Sequence, residues 1–232
     1  MPITVEAHVQ FLMGPAQMRR ADYDGHVFVS ALKGRPFGNW ARVRAPDGTW
    51  KQIDPQHPEV ASEIFTAWAM QRILARWKGP ICLVPVPNKS ALVSALGQSF
   101  PTLILAEQLA KRFNLPDKVY VQPALRWQRT LKKASEGGPR QAWELYPELM
   151  RMPVPRGTPG RIVLVDDVCT GGGHLQACAA KLTAAGCVAD YAACGAKTFY
   201  QQQPEPFSLH TITLPDYVPG SNPFGFEDET AR

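Results

Sequence analysis

Four aliphatic residues, Ile162, Val163, Leu164 and Val165, run straight into two adjacent acids, Asp166 and Asp167. After Val168, Cys169 and Thr170 come three consecutive glycines, Gly171, Gly172 and Gly173, and then His174. An unbroken aliphatic run of this length fits a strand buried on both faces, as in a parallel sheet covered by helices. Glycines at its exit let backbone N–H groups approach an anion with no Cβ in the way, and a helix starting there adds the positive end of its dipole. The paired carboxylates can accept hydrogen bonds from sugar hydroxyls or approach magnesium. Their charge also favours a cationic, oxocarbenium-like centre forming nearby. A sugar phosphate would satisfy both halves of such a site. An ATPase strand also ends in acids, but no G-x-x-x-x-G-K-[ST] accompanies this one, and the G-x-G-x-x-G turn of dinucleotide-binding proteins is absent. The remaining alternative is a tight strand-to-helix turn with acids as helix caps, although two adjacent acids at the end of a buried strand are costly without a ligand or partner.

The rest of the chain supplies a matching frame. The first 55 residues read as extended, with an apolar Val27 to Leu32 and a hairpin formed by Trp40 to Arg44 and Thr49 to Ile53 around a Pro-Asp-Gly turn. Helical spacing of apolar residues follows from Pro58 to Trp77, with Pro58 in the first turn. A strand is expected at Ile81 to Val86 and a loop at Pro87 to Ser90. Next come a helix from Pro101 to Phe113 capped by Ser99, and a strand from Lys118 to Gln122. A long segment, 123–160, holds some helix around Ala142 to Met150. A strand from Arg161 to Asp166, a helix from Gly173 to Ala185 stopped by Gly186, and a strand from Val188 to Lys197 complete the alternation. The expected fold is therefore α/β, a central, mostly parallel sheet with helices on both faces. It divides into a β-rich N-terminal segment (1–57), the α/β core (58–198) and an irregular C-terminal extension (199–232) that packs along the surface. Ligands bind at the carboxyl ends of such strands, which points to the turns after Val86, Gln122 and Asp167.

Charge and cysteine usage narrow the function classes. A net charge of +5 permits an anionic ligand without demanding nucleic acid. The positive charge concentrates in Arg126, Arg129, Lys132, Lys133 and Arg140, opposed only by Glu136. This stretch either holds phosphate or forms a solvated loop. The five cysteines form no C-x-x-C pair and no metal framework, as expected of free thiols in a reducing cytoplasm. No apolar run reaches the roughly 18 to 20 residues that cross a bilayer, and no export signal opens the chain. The expectation is a cytoplasmic protein with no membrane partner.

Residues 162–174 resemble the phosphoribosyl pyrophosphate (PRPP) binding motif of type I phosphoribosyltransferases. Leu83-Val84-Pro85-Val86-Pro87 with its loop, the Leu105 to Ala110 helix, Leu32-Lys33-Gly34 and the basic run from Leu125 to Lys133 are similar to the ComF-like branch, so the resemblance spans roughly 23–198. It implies PRPP as donor, magnesium as the ion, and displacement of pyrophosphate at the anomeric carbon by a nitrogen nucleophile, such as a nucleobase. Carried over, Asp166 and Asp167 contact the ribose hydroxyls and magnesium, directly or through PRPP and water. Thr170, Gly171, Gly172, Gly173 and His174 hold the 5′-phosphate, with His174 protonated beside that dianion. Asn88, Lys89, Ser90 and Arg129 take the pyrophosphate, on a loop where the family often has a cis peptide. Lys132 and Lys133 act catalytically on the leaving group, in a segment (127–136) expected to be mobile until it closes over PRPP.

The chain departs from the family in Gly171 and His174, where threonines are usual. It also lacks the N-terminal cysteine-rich metal segment and has Gly97-Gln98-Ser99 in place of Arg-Gly-Phe-Asn. These departures keep two alternatives open beside the enzyme. One is a non-catalytic PRPP or nucleotide sensor; the other is a degenerate ComF-like protein acting in DNA uptake or another nucleic-acid process.

Overall fold

The structure, a computed structural model, describes residues 1–14, 17–132, 137–153 and 161–221. Its elements in chain order are β1 (Ile3–Leu12), α1 (Arg20–Leu32), β2 (Ala41–Arg44), β3 (Trp50–Ile53), α2 (Glu59–Arg76), β4 (Ile81–Pro85), α3 (Pro101–Phe113), β5 (Val119–Val121), β6 (Leu125–Trp127), α4 (Ala142–Leu145), β7 (Leu149–Arg151), β8 (Arg161–Cys169), α5 (Gly173–Thr183), β9 (Tyr191–Phe199) and β10 (His210–Leu214). Six strands form one sheet in the order β10-β1-β9-β8-β4-β5. All neighbours are parallel except β10, which runs antiparallel to β1. The aliphatic run of β8 lies at the sheet's centre, with Val163 and Val165 packed among residues of α1, α2 and α3 on one face and Leu164 among residues of α5 and β6 on the other. Burial on both sides is what the uninterrupted apolar sequence called for.

Several elements differ from expectation. Val27 to Leu32 is the second half of helix α1, not an extended segment. The first half hides its inner face because the buried residues there are Asp22 and Asp24; Asp22 accepts a hydrogen bond from the Gln10 side chain at 2.9 Å. β1 belongs to the central sheet, between β9 and β10, so the N-terminal segment is built into the core rather than laid beside it. Its inward polar residues are also satisfied: Glu6 receives hydrogen bonds from Arg72, Arg76 and the Tyr191 hydroxyl. Phe100, not Ser99, occupies the N-cap position of α3, and no side chain caps that end. The helix expected near Ala142 to Met150 stops at Leu145; a 3-10 turn follows, and then β7, which pairs with β6. β8 continues past Asp166 to Cys169 because β9 accompanies it as far as the Cys169–Lys197 pair. In the extension, His210 to Leu214 forms β10. No helix among the described residues is long and apolar enough to cross a membrane.

Candidate functional site

The alternation of a strand sends Asp166 and Asp167 to opposite sides of β8, and both reach the wall of one cavity of about 550 Å³. Asp167, only 8% exposed, accepts a 2.5 Å hydrogen bond from the Lys33 ammonium at the end of α1. Asp166 accepts the backbone N–H of Asp167 at 2.9 Å through Oδ1. Burial, together with the charge of Asp167, holds the Asp166 carboxyl well above the usual carboxylate range, against a smaller opposing pull from Lys33.

Beyond β8 the glycines do different jobs. Gly172 has φ +84°, which an L side chain rarely adopts, and a Cβ there would lie 2.6 Å from the Leu214 side chain. At Gly173 a Cβ would lie 2.0 Å from the carbonyl oxygen of Arg140, so the chain before α4 rests directly on the first turn of α5. Gly171 has open space. The N–H groups of Gly171, Gly172, Gly173 and His174 meet no acceptor among the described residues, leaving consecutive donors at the positive end of an 11-residue helix. Thr170 lines the cavity. Its hydroxyl is 3.1 Å from that of Thr198, and its carbonyl accepts a hydrogen bond from Lys197 at 2.8 Å.

Across the cavity, the loop after β4 is held by side-chain hydrogen bonds and by backbone contacts to β6. Asn88 Oδ1 accepts hydrogen bonds from the Ser90 N–H (3.1 Å) and hydroxyl (2.8 Å). The buried indole N–H of Trp127 donates to the Pro87 carbonyl at 3.1 Å, and the Trp127 backbone N–H donates to Ala91 at 2.8 Å. No cis peptide bond occurs among the described residues, so the loop does not use the one expected there. The Trp127 ring also meets His174 edge-on at 5.6 Å, joining the loop after β4 to the start of α5. Surrounding atoms push the His174 imidazole below its ordinary pKa, Asp167 opposes them and Lys33 reinforces them. That direction opposes the protonated ring expected beside a phosphate.

The cavity brings together Asn88, Lys89, Ser90, Lys132, Asp166, Asp167, Thr170 and His174 from the sequence-derived set, whereas Gly171, Gly172 and Gly173 do not line it. Arg129 is elsewhere: it forms a two-pronged pair with Glu148 at 2.9 and 2.5 Å and does not line the cavity. Lys133 lies outside the described residues. Arg126 is buried and spent on structure, with its guanidinium donating to the carbonyls of Leu92, Ala95 and Gln98 and stacked 5.3 Å from the Phe100 ring. Of the segment expected to be mobile, 127–136, Trp127 is the last residue of β6, and 133–136 lie outside the described residues. Among the lining residues to which the sequence assigned no role are two cations and an indole: Lys33, Arg35 and Trp127. The signal for Lys33 and Arg35 is two cations at the end of an apolar run, obscured because the buried polar residues Asp22 and Asp24 break the helical period of that run. With Lys89 and Lys132 they give the cavity four cations against two acids, a balance suited to a multiply charged anion.

Neither a known protein-family model nor a curated protein sequence matches the chain.

Proposed function

We propose that the cavity binds PRPP and that the protein is a phosphoribosyltransferase, moving the phosphoribosyl group to a nitrogenous acceptor with release of pyrophosphate. One observation carries the reading: a single cavity at the carboxyl ends of β4 and β8 is lined by paired acids, by Thr170 and His174 at the two ends of the glycine turn, and by a facing group of cations. Those three chemistries suit the ribose, the 5′-phosphate and the pyrophosphate of one molecule.

In this reading Thr170 and the N–H groups of 171–174 hold the 5′-phosphate, with His174 as a further donor. Asp166 and Asp167 orient the ribose hydroxyls and favour positive charge at the anomeric carbon as the leaving group departs. Lys89, Ser90, Arg35 and Lys132 meet the growing charge on pyrophosphate. Direct ligation of magnesium by the chain fits poorly. The described residues hold no cluster of three or more metal-ligating side chains, and one oxygen of each β8 acid already accepts a hydrogen bond.

Calorimetric titration of the full chain with PRPP in magnesium buffer, followed by a pyrophosphate-release assay across nucleobases, tests the proposal. Binding with release supports the enzyme. Binding without release under any acceptor supports the sensor, and absence of binding removes both.

A further inference from the structure

The positive charge on the β8 acids comes from the chain itself. Lys33 stands 2.5 Å from Asp167 Oδ1, with the side chains only 22% and 12% exposed. It is delivered there by close packing rather than by a flexible tether. α1 crosses β1 at Gly25, where a Cβ would lie 2.4 Å from the Gln10 carbonyl. At its far end it meets β9 at Gly195, where a Cβ would lie 2.3 Å from Leu32 and 2.9 Å from the Asp167 carbonyl. The Lys33 N–H is bonded to Val29, which fixes the residue at the helix end. A divalent cation needs about six oxygens at roughly 2.0–2.1 Å. On Asp167 it would have to share the carboxylate with an ammonium already seated on Oδ1, whose positive charge repels it, and Asp166 has one oxygen engaged by a backbone N–H.

We propose that Lys33 is the resident counter-cation of this site, occupying the place of a metal on Asp167, so that the chain takes its sugar-phosphate ligand without a magnesium bridge to the protein. The inference rests on the phosphoribosyl reading for the identity of that ligand. It departs from the magnesium ligation by Asp166 and Asp167 that the resemblance implies. Lys33 holds Asp167 in register for the ribose and supplies the positive charge that the paired acids need.

The test is calorimetric titration of PRPP into the full chain, once in EDTA and once in excess magnesium chloride. The wild-type affinity is expected to differ by no more than about threefold between the two buffers. Lys33→Met is expected to lose about tenfold or more in EDTA and to recover part of it with magnesium, while Lys33→Arg keeps the wild-type pattern. A wild-type affinity that rises about tenfold or more with magnesium overturns the proposal, and this comparison needs no variant to fold. So does Lys33→Met behaviour indistinguishable from wild type. A second measurement needs no PRPP: manganese titrated into the protein and followed by electron paramagnetic resonance is expected to remain free. Manganese binding that Asp167→Asn removes overturns the assignment of Lys33. Free manganese combined with no PRPP binding in either buffer leaves Lys33 as the counter-cation and defeats the phosphoribosyl reading alone.

Discussion

At the scale of single residues, buried polar groups decide how the molecule responds to pH. His8 is 4% exposed, its Nε2 lies 2.7 Å from the Arg44 carbonyl, and its ring packs against Trp68. Burial, the largest influence, pushes its pKa from 6.5 down to about 4 despite the Arg44 contact, and His210 adds a small further push. Between those values the unfolded chain binds a proton that the folded chain refuses, so the stability His8 allows is complete above pH 6.5 and is lost as pH falls towards 4. The full span corresponds to about 3 kcal/mol as an upper figure. Urea midpoints at pH 7 and pH 5 should therefore fall further in wild type than in His8→Gln. Equal falls would show that His8 is not the group responsible. The cations of the 126–140 stretch also separate at this scale. Arg129, bound to Glu148 with its side chain 73% exposed, should tolerate Arg129→Ala with little loss of stability or of PRPP affinity. On the proposed phosphoribosyl-transfer reading, Lys132→Ala should lower the rate of pyrophosphate release by about tenfold while changing PRPP affinity less, because that reading needs its charge most as the leaving group departs. Steady-state assays beside calorimetry distinguish the two; a larger loss with Arg129→Ala would reverse the assignment.

At the scale of elements, function depends on how closely α1 docks. Gly195→Ala would press a methyl group on the Asp167 carbonyl and on Leu32. It should cost about 1–3 kcal/mol and weaken PRPP binding through Lys33. Gly171→Ala, which meets open space, should change thermal stability far less. Melting curves of the two variants, followed by PRPP titration, check this, and similar melting temperatures would remove the packing argument. The same elements show what the sequence made legible. α2, α3, β4, β8 and α5 each have one strong period or one apolar run, and each is found with small shifts at its ends. α1 and β1 were obscured because their inward faces carry Asp22, Asp24, Glu6, His8 and Gln10, polar residues that break the apolar period; the partners of Glu6 and His8 lie far along the chain. β6 and β7 are three residues each, too short to show a period, and their pairing spans residues 125–151. The motif itself gave Asp166, Asp167, Thr170 and His174 at the cavity. Lys33 required knowing that a helix ends there, and Arg129 was misplaced because charge in sequence does not reveal which acid will claim it.

At the scale of the whole molecule, three distant pieces of chain converge on the β8-loop-α5 unit: the end of α1 through Lys33, the segment 123–160 through Trp127 and Arg140, and the C-terminal strand through Leu214 against Gly172. β1 sits between β9 and β10, and its Glu6 accepts the hydrogen bonds of Arg72, Arg76 and Tyr191. The apolar cluster on that face joins Val27, Phe28, Val43 and Ile53 from the first 57 residues to Ile64, Phe65 and Trp68 of α2. A fragment of residues 58–198 would lose one wall of this cluster, expose the open side of β9 as an edge strand, and leave two arginines and a tyrosine without their buried acceptor. We therefore expect the full chain to unfold in one cooperative transition, with circular dichroism and tryptophan fluorescence changing together. The fragment should give a broad, non-cooperative melt and no PRPP binding. A fragment that melts sharply within a few degrees of the full chain would instead make 58–198 an autonomous domain, and α1 would then be an added arm whose lysine completes a site already folded without it.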